Sequence, residues 1–320
     1  MDATAEAVGR GRNMIHQLDI FGKDKVENAI EAIQGFATIF GKGEGYYLAF
    51  SGGKDSVVIK KLADMAGVKY DAHYSLTTVD PPELVRFIKE KYPDVSIDKR
   101  YYKKDGKNVK AGQQITMWNL IPEKKMPPTR LARYCCEALK ESGGDGRLVM
   151  TGVRWAESAN RKHNQGLVTI MGKSKKTVQK LEEIGANFTP TIRGGGVLGT
   201  DNAETRQAVE FCYQHQRTTV NPIIDWDDSE VWEFIREYNV PYCELYEKGW
   251  KRIGCIGCPM NTQQQQQLDQ YPIYKRNYIK AFKKMIEVNK YNEPSSKWKT
   301  AEQCYAWWVM APYKEVQDES

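Results

Sequence analysis

Four of the seven cysteines fall into two close pairs, a spacing that is typical of a metal or cluster site. The pairs are Cys135–Cys136 in the string RYCC and Cys255–Cys258 in the string GCIGCP. Thiolates bind both zinc and iron–sulfur clusters, so the residue types alone leave the two open. Two buried structural cysteines and a coincidental CxxC are the alternative.

A second group of reactive residues is the hexapeptide SGGKDS, which follows the apolar run YYLAF and precedes a helical pattern. Its members are Ser51, Gly52, Gly53, Lys54, Asp55 and Ser56. Glycines let the backbone approach a ligand closely, and the free N–H groups of a helix start attract negative charge. The hexapeptide therefore predicts a cradle for phosphate or pyrophosphate, with an ordinary capped glycine turn as the alternative. Its spacing matches neither the P-loop nor the dinucleotide fingerprint.

A third group lies in TGVRWAESANR at residues 151–161, directly after another predicted strand. A guanidinium group can bind two oxygens of one phosphate or sulfate at once, so Arg154 and Arg161 are candidates to bind such a group. Glu157 can orient one of the two arginines. A surface helix start with a weak ion pair is the alternative.

These groups require an alternating series of strands and helices to position them. Strands are predicted at 46–50, 69–75, 95–101 and 148–152, with helices at 57–66, 81–92 and 129–142. Such alternation with short connections predicts an α/β fold with a doubly wound, mostly parallel sheet, in which ligands bind at the carboxyl ends of strands. Helical patterns at 268–289 and 297–310 predict a helical C-terminal extension. The glycine-rich string IRGGGVLGTDN at 192–202 is expected to be a surface loop, or alternatively a mobile lid.

Composition describes an ordinary globular chain of 320 residues, with 41% hydrophobic residues and a net charge of +6. No apolar run is long enough to span a bilayer, and the first residues have no apolar core of signal-peptide length. A cytoplasmic location without a membrane partner is therefore expected. A lysine-rich stretch between 99 and 133 would suit a nucleic acid, although a solvated loop explains it equally well. The oligomeric state is left open.

Together these motifs resemble the phosphoadenosine phosphosulfate (PAPS) reductase family of the adenine nucleotide α-hydrolase, or N-type ATP pyrophosphatase, superfamily. The resemblance runs from about residue 44 to 260 and includes SGGKDS, TGVRWAESANR, both cysteine pairs and the string NPIIDWDDSEVWEFI. It implies a nucleotide-binding domain at 44–260 with an insertion at about 162–219. The flanking parts would be an N-terminal helical segment at 1–43 and the C-terminal extension at 261–320.

The resemblance also implies roles for individual residues. In the cluster-bearing branch of the family, the two cysteine pairs hold a [4Fe-4S] cluster, which here would be bound by Cys135, Cys136, Cys255 and Cys258. The implied nucleotide-binding residues are the SGGKDS hexapeptide (51–56), Arg154 and Glu157. The implied catalytic residues are Lys54, Asp55, Arg154 and Arg161, with Asp55 also able to contribute to a magnesium site.

Two departures from the family pattern affect the predicted function. In SLTTVDPPEL at 75–84, Leu76 stands where the family has an acidic residue, and Asp80 is the candidate replacement. The last cysteine, Cys304 in AEQCYAWWVM, lacks the Glu-Cys-Gly context of the reductase nucleophile and is interpreted as a packed helix residue.

These departures favour ATP-dependent adenylation coupled to sulfur transfer, with a cysteine desulfurase as sulfur donor. The alternative is a thiol-dependent reductase that acts on adenylyl sulfate or PAPS with thioredoxin and releases sulfite. A second alternative is a sensor without turnover, which binds a nucleotide and uses the cluster as a redox switch.

Overall fold

The computed structural model describes residues 14–40, 44–103, 110–141, 143–172, 175–192, 194–292 and 297–310. The helices are α1 (Lys25–Ala37), α2 (Lys54–Ala66), α3 (Pro82–Lys91), α4 (Met117–Lys124), α5 (Tyr134–Leu139), α6 (Ala159–Asn164), α7 (Lys175–Ile184), α8 (Ala203–Cys212), α9 (Asp228–Glu237), α10 (Gln264–Gln270), α11 (Pro272–Asn292) and α12 (Ala301–Met310), with a short 3-10 helix at Trp155–Glu157. The strands are β1 (Tyr46–Ala49), β2 (Tyr70–Ser75), β3 (Ser96–Asp98), β4 (Leu148–Met150), β5 (Val168–Met171), β6 (Phe188–Pro190), β7 (Gly196–Leu198) and β8 (Arg217–Val220).

The strands form one eight-stranded sheet in the order β3-β2-β1-β4-β8-β5-β7-β6. Strands β2, β1, β4 and β8 are parallel to one another, with Leu48 opposite Met150 and Met150 opposite Val220. This part of the sheet, together with the helices that connect its strands, confirms the predicted α/β class. Because parallel strands end at the same edge, the segments that follow β1, β4 and β8 meet there.

The three strands β5, β7 and β6 extend the sheet in antiparallel fashion. They include part of the glycine-rich string that was expected to be a surface loop or a lid, so that expectation is corrected: β7 is a paired strand. Glycine is required at Gly195, directly before β7, because a Cβ there would collide with the backbone carbonyl oxygen of Ile170. Arg193 of this string lies outside the described residues.

Other boundaries differ from the predictions by a few residues for local reasons. Helix α2 begins at Lys54, three residues before the predicted start, because Gly53 has an extended conformation and serves as its N-cap. The helix expected at 129–142 is confined to Tyr134–Leu139, since Thr129 and Ala132 form a turn before it. Helix α4 was not predicted.

The described chain divides into two compact units, each made of two separate segments. The first contains Met1–His73 and Gly144–Tyr242, and the second contains Tyr74–Gly143 and Cys243–Ser320. The core of the first unit contains buried strand residues such as Leu48, Val149 and Val220, and helix α2 packs against α1 and α9.

The second unit has an aromatic core built around α11. The Tyr278 ring lies 5.1 Å from Trp118 of α4 and 4.6 Å from Trp308 of α12, measured between centroids. The Trp308 indole N–H donates to the Pro128 carbonyl at 2.7 Å. The predicted C-terminal helices are therefore part of this unit's core. No helix within the described ranges is long and apolar enough to cross a membrane.

Candidate active site

The SGGKDS turn connects β1 to α2 at the carboxyl edge of the parallel strands. Gly52 has a φ of 71°, in the left-handed region that favours glycine, and this reverses the chain sharply. The Ser56 hydroxyl donates to the Gly53 carbonyl at 2.8 Å, and the Ser51 hydroxyl lies 3.2 Å from that of Ser56. No side chain caps the start of α2, so its first N–H groups face the turn. This is the geometry expected of an anion cradle.

The segment that follows β4 approaches the turn closely at Gly152. A Cβ on Gly152 would lie 2.9 Å from the Asp55 carbonyl oxygen and 3.0 Å from its carbonyl carbon. Only glycine therefore allows this backbone to pass against the first turn of α2, and the approach carries Arg154 toward Asp55.

Arg154 is buried, with only 1% of its side chain exposed, and its guanidinium joins all three segments of the edge. Its Nε donates to Asp55 Oδ1 at 2.7 Å, its Nη1 to the Trp226 carbonyl at 3.1 Å, and its Nη2 to Asp228 Oδ1 at 2.5 Å. The sequence predicted that Arg154 binds the nucleotide, but in this arrangement its donors are directed at protein oxygens. Arg154 thus holds the edge together.

Lys54 completes a four-residue charge network with Arg154, Asp55 and Asp228. Its ammonium lies 3.4 Å from Asp55 Oδ2 and 3.2 Å from Asp228 Oδ1. Burial opposes the charge of Asp228, but the hydrogen bond from Arg154 and the nearby Lys54 charge lower the pKa of its carboxyl. The network contains two cations and two anions, so its charges balance.

Asp228 was not predicted as a site residue. Two adjacent aspartates stand at the start of α9, and the helix is capped by Asp227, whose side chain accepts from Glu230 N. Asp228 is the first residue of α9, and its side chain takes no part in the cap.

Arg161 and Glu157 form an ion pair on the surface of the first unit, with 31% and 21% of their side chains exposed. Glu157 also accepts from the Arg154 backbone N–H at 3.2 Å. The predicted orienting role of Glu157 thus has a structural counterpart, although it acts on the backbone of Arg154 and on the side chain of Arg161.

The four predicted metal ligands all lie in the second unit. Cys135 and Cys136 are in the first turn of α5, and Cys255 and Cys258 belong to a loop in which Ile256 N donates to the Val79 carbonyl at 2.8 Å. Within the described ranges, no three Cys, His, Asp or Glu side chains form a group that could hold a metal ion.

The surroundings of the thiols nevertheless suit a thiolate-bound group. A hydrogen bond from Cys135, together with one from Arg133, lowers the pKa of Cys136 to about 5. The Thr77 hydroxyl lies 3.4 Å from Cys255 Sγ; burial raises the pKa of the Cys255 thiol, and the positive charge of Lys140 opposes that rise. Four thiols with cationic and hydroxyl neighbours are a donor set that fits an iron–sulfur cluster or zinc. Thr77 and Lys140 were not predicted; Lys140 follows Cys136 by four residues, which was the available signal.

Asp80, the candidate replacement for the missing acidic residue, has a local structural role. Its Oδ2 accepts from Thr77 N and its Oδ1 from the Thr77 hydroxyl, both at 2.7 Å. Its carboxylate therefore orders the same Thr77 that contacts Cys255.

Cys304 is fully buried on α12, and burial raises the pKa of its thiol to about 12. A thiolate is scarce under these conditions at neutral pH, so Cys304 is poorly suited to nucleophilic attack.

The family model of the phosphoadenosine phosphosulfate reductase domain matches residues 45–261, which is most of the chain. The chain belongs to the PAPS reductase family.

Individual members of the family are distant relatives. An adenosine 5'-phosphosulfate reductase of Bacillus cytotoxicus is 33% identical over 101 residues, which is 31% of this chain and 40% of the relative. An adenosine 5'-phosphosulfate reductase of Oceanobacillus iheyensis is 23% identical over 249 residues, which is 75% of this chain and 81% of the relative. The alignments with the reductases of B. cytotoxicus and Staphylococcus haemolyticus thus span less than half of those proteins' lengths. A solved PAPS reductase from Candida auris has a TM-score of 0.40 and 16% identity, covering 71% of this chain and 88% of that one.

Proposed function

We propose that this PAPS reductase family member is a thiol-dependent reductase that acts on adenylyl sulfate or PAPS and releases sulfite. The observation that carries the proposal is the SGGKDS turn, with uncapped N–H groups and Lys54 at the edge shared by β1, β4 and β8. Relatives named adenosine 5'-phosphosulfate reductase support this reading over ATP-dependent adenylation, which the sequence alone favoured.

In the proposed reaction a thiolate attacks the sulfur of the nucleotide's sulfate group. The bond between that sulfur and the bridging oxygen breaks, and its electron pair leaves with the nucleotide phosphate. A second thiolate attacks the resulting thiosulfonate, forming a disulfide and releasing sulfite. The α2 N–H groups and Lys54 stabilise the charge that develops on the leaving phosphate.

Both thiolates come from a dithiol protein of the thioredoxin class in this proposal. Cys304, the last cysteine of the sequence, is fully buried and therefore poorly placed to attack the sulfur itself. An external dithiol also balances the reaction, because its two thiols supply the two electrons that reduce the sulfur.

We further propose that Cys135, Cys136, Cys255 and Cys258 hold a [4Fe-4S] cluster. Such a cluster supplies a redox-active iron centre whose potential depends on hydrogen bonds to its sulfurs. Thr77 and Arg133 are placed to make such contacts, at 3.4 Å from Cys255 Sγ and 3.6 Å from Cys136 Sγ. Iron, sulfide and zinc analysis of anaerobically purified protein tests this; zinc without sulfide would refute the cluster.

The function is tested by incubating anaerobically purified protein and a dithiol donor with adenylyl sulfate, PAPS or ATP. We expect one of the sulfonucleotides to give sulfite and its nucleotide product in equal amounts, with AMP formed from adenylyl sulfate or adenosine 3',5'-bisphosphate from PAPS. Pyrophosphate released from ATP alone would favour the second candidate, adenylation with sulfur transfer, which the burial of Cys304 in a helix without the Glu-Cys-Gly context supports. Tight binding without any product would favour the sensor.

Replacing the last cysteine tests the origin of the first thiolate. We expect C304S to retain sulfite release within about twofold of the unaltered protein, because a buried thiol with a raised pKa is not a nucleophile. Loss of sulfite release in a C304S protein with an unchanged melting temperature would show that Cys304 takes part in the reaction.

A further inference from the structure

The cations of the anion cradle are already paired with carboxylates of the protein. Lys54 Nζ lies 3.2 Å from Asp228 Oδ1, and the same oxygen accepts from Arg154 Nη2 at 2.5 Å. A phosphate or sulfate oxygen that approaches Lys54 therefore meets a carboxylate in the position where it would itself bind.

Asp55 and Asp228 have different surroundings, although both contact Arg154. Asp55 is within the first turn of α2 and has 21% of its side chain exposed, whereas Asp228 has 71% exposed. Asp228 is held through its backbone, because α9 is capped by Asp227 and not by Asp228. Its carboxylate can consequently rotate into solvent without disturbing the helix.

Arg154 does not depend on Asp228 for its position. Its Nε bond to Asp55 and its Nη1 bond to the Trp226 carbonyl remain when Asp228 turns away. Displacement of Asp228 thus releases one contact of Lys54 and one donor of Arg154, while the rest of the network stays in place.

We propose that Asp228 is a built-in competitor for the anion, whose carboxylate occupies Lys54 and Arg154 until an oxyanion of the ligand replaces it. This rests on the proposed function, in that the SGGKDS turn is taken as the binding site for the nucleotide's phosphate. Asp228 thereby lowers the affinity of the turn for anions. The reduction is largest for ligands whose negative charge is concentrated on one group. A product phosphate with two charges is held less tightly than it would be beside Lys54 alone, which favours product release.

The matched pair of variants for the test is D228N and D225N. The D228N change keeps a side-chain oxygen that accepts from Arg154 but removes the competing charge. Asp225 lies three residues earlier and pairs with Lys25 at 3.6 Å, so D225N removes one negative charge from the same segment without touching the network. Melting temperatures of both variants confirm folding.

Binding of AMP, inorganic pyrophosphate and adenylyl sulfate is measured by calorimetry for the unaltered protein and both variants. We expect D228N to bind AMP and pyrophosphate about tenfold more tightly, the scale of removing one like charge a few ångströms away in a partly solvated site. D225N should leave both affinities unchanged. The gain in D228N should shrink as salt rises from about 0.01 to 1 M, because it is electrostatic.

Other outcomes overturn the proposal in distinguishable ways. If the unaltered protein binds these ligands and D228N binds them equally or more weakly, Asp228 is a supporting ligand and not a competitor, while the proposed function stands. If neither protein binds any of the three, the turn is not an anion site, and both the function and this inference are wrong. Equal tightening in D225N would indicate a general effect of net charge and would also refute the specific role of Asp228.

Discussion

Arg154 and Arg161 are seven residues apart in one motif, yet their side chains are 1% and 31% exposed. The difference arises from partners distant in sequence. Arg154 donates to groups 99, 72 and 74 residues away, on α2 and on the segment that begins α9. Arg161 pairs with Glu157, only four residues before it.

We expect R154A to lower the free energy of unfolding by about 3–5 kcal/mol, because it leaves Asp55 without its buried partner. R161A should cost no more than about 1 kcal/mol, as for other exposed ion pairs. Urea denaturation of both variants gives the two values. R154K is the control for charge. Its single ammonium cannot reach three oxygens, so its free energy of unfolding should be closer to that of R154A than to that of the unaltered protein. Equal costs for R154A and R161A would contradict the structural role of Arg154.

The sequence singled out Arg154 as a candidate site residue but did not predict what its side chain contacts. Residue type and spacing indicated an arginine that binds an oxyanion. The same interpretation would be given to any arginine close to a phosphate-binding turn, so it does not depend on the contacts of Arg154. Its burial depends on the Trp226 carbonyl and on Asp228, whose approach is decided by the pairing of β4 with β8. Asp228 was missed for the same reason, since two adjacent aspartates before a helix give one capping signal and no indication of which side chain is left over.

At the scale of elements, the edge formed by β1, β4 and β8 depends on close packing between the segment after β4 and the start of α2. Gly152 is the contact point, with space for no side chain beside Asp55. The alternation of strands and helices that builds this edge was predicted correctly from periodicity. Strands β5, β6 and β7 were not predicted, because they are three or four residues long and one begins with glycine, so no alternation is detectable.

We expect G152A to lower the free energy of unfolding by about 1–3 kcal/mol, because its methyl group must displace the backbone of Asp55. The same shift moves Lys54 and the N–H groups of α2, so nucleotide affinity should fall as well. Calorimetric binding and urea denaturation measure the two effects. Gly199 has open space around its Cα and serves as the control: G199A should change stability by less than about 0.5 kcal/mol. A G152A protein with unaltered stability and binding would show that the close approach is unimportant.

At the scale of the whole molecule, a histidine near the N-terminus contacts two acidic side chains and so links the N-terminal segment to α9 within the first unit. His16 Nδ1 lies 2.5 Å from Asp24, which caps α1, and its Nε2 lies 2.8 Å from Glu237 at the end of α9. Hydrogen bonds to Asp24 and then to Glu237 raise the pKa of His16 above its ordinary value of 6.5.

A raised pKa makes the contribution of His16 to stability depend on pH. The contribution is fully present below about pH 6.5 and is lost as pH rises through the higher pKa of the folded state. We expect the melting temperature to fall modestly between about pH 6.5 and 8.5, with a free-energy change of at most about 1 kcal/mol because the pair is partly exposed. H16Q should flatten this part of the curve, as followed by thermal melts across the pH range. H163Q, which replaces an exposed histidine in α6, is the control and should leave the slope unchanged.

The division of the chain into two discontinuous units also has a consequence for the order of events during synthesis. The first unit is complete once Tyr242 has been made, whereas the second needs residues from both Tyr74–Gly143 and the segment after Cys243. Cys135 and Cys136 therefore leave the ribosome long before Cys255 and Cys258 can join them. The proposed cluster can be completed only after Cys258 has been made, so the first cysteine pair has to stay reduced until then.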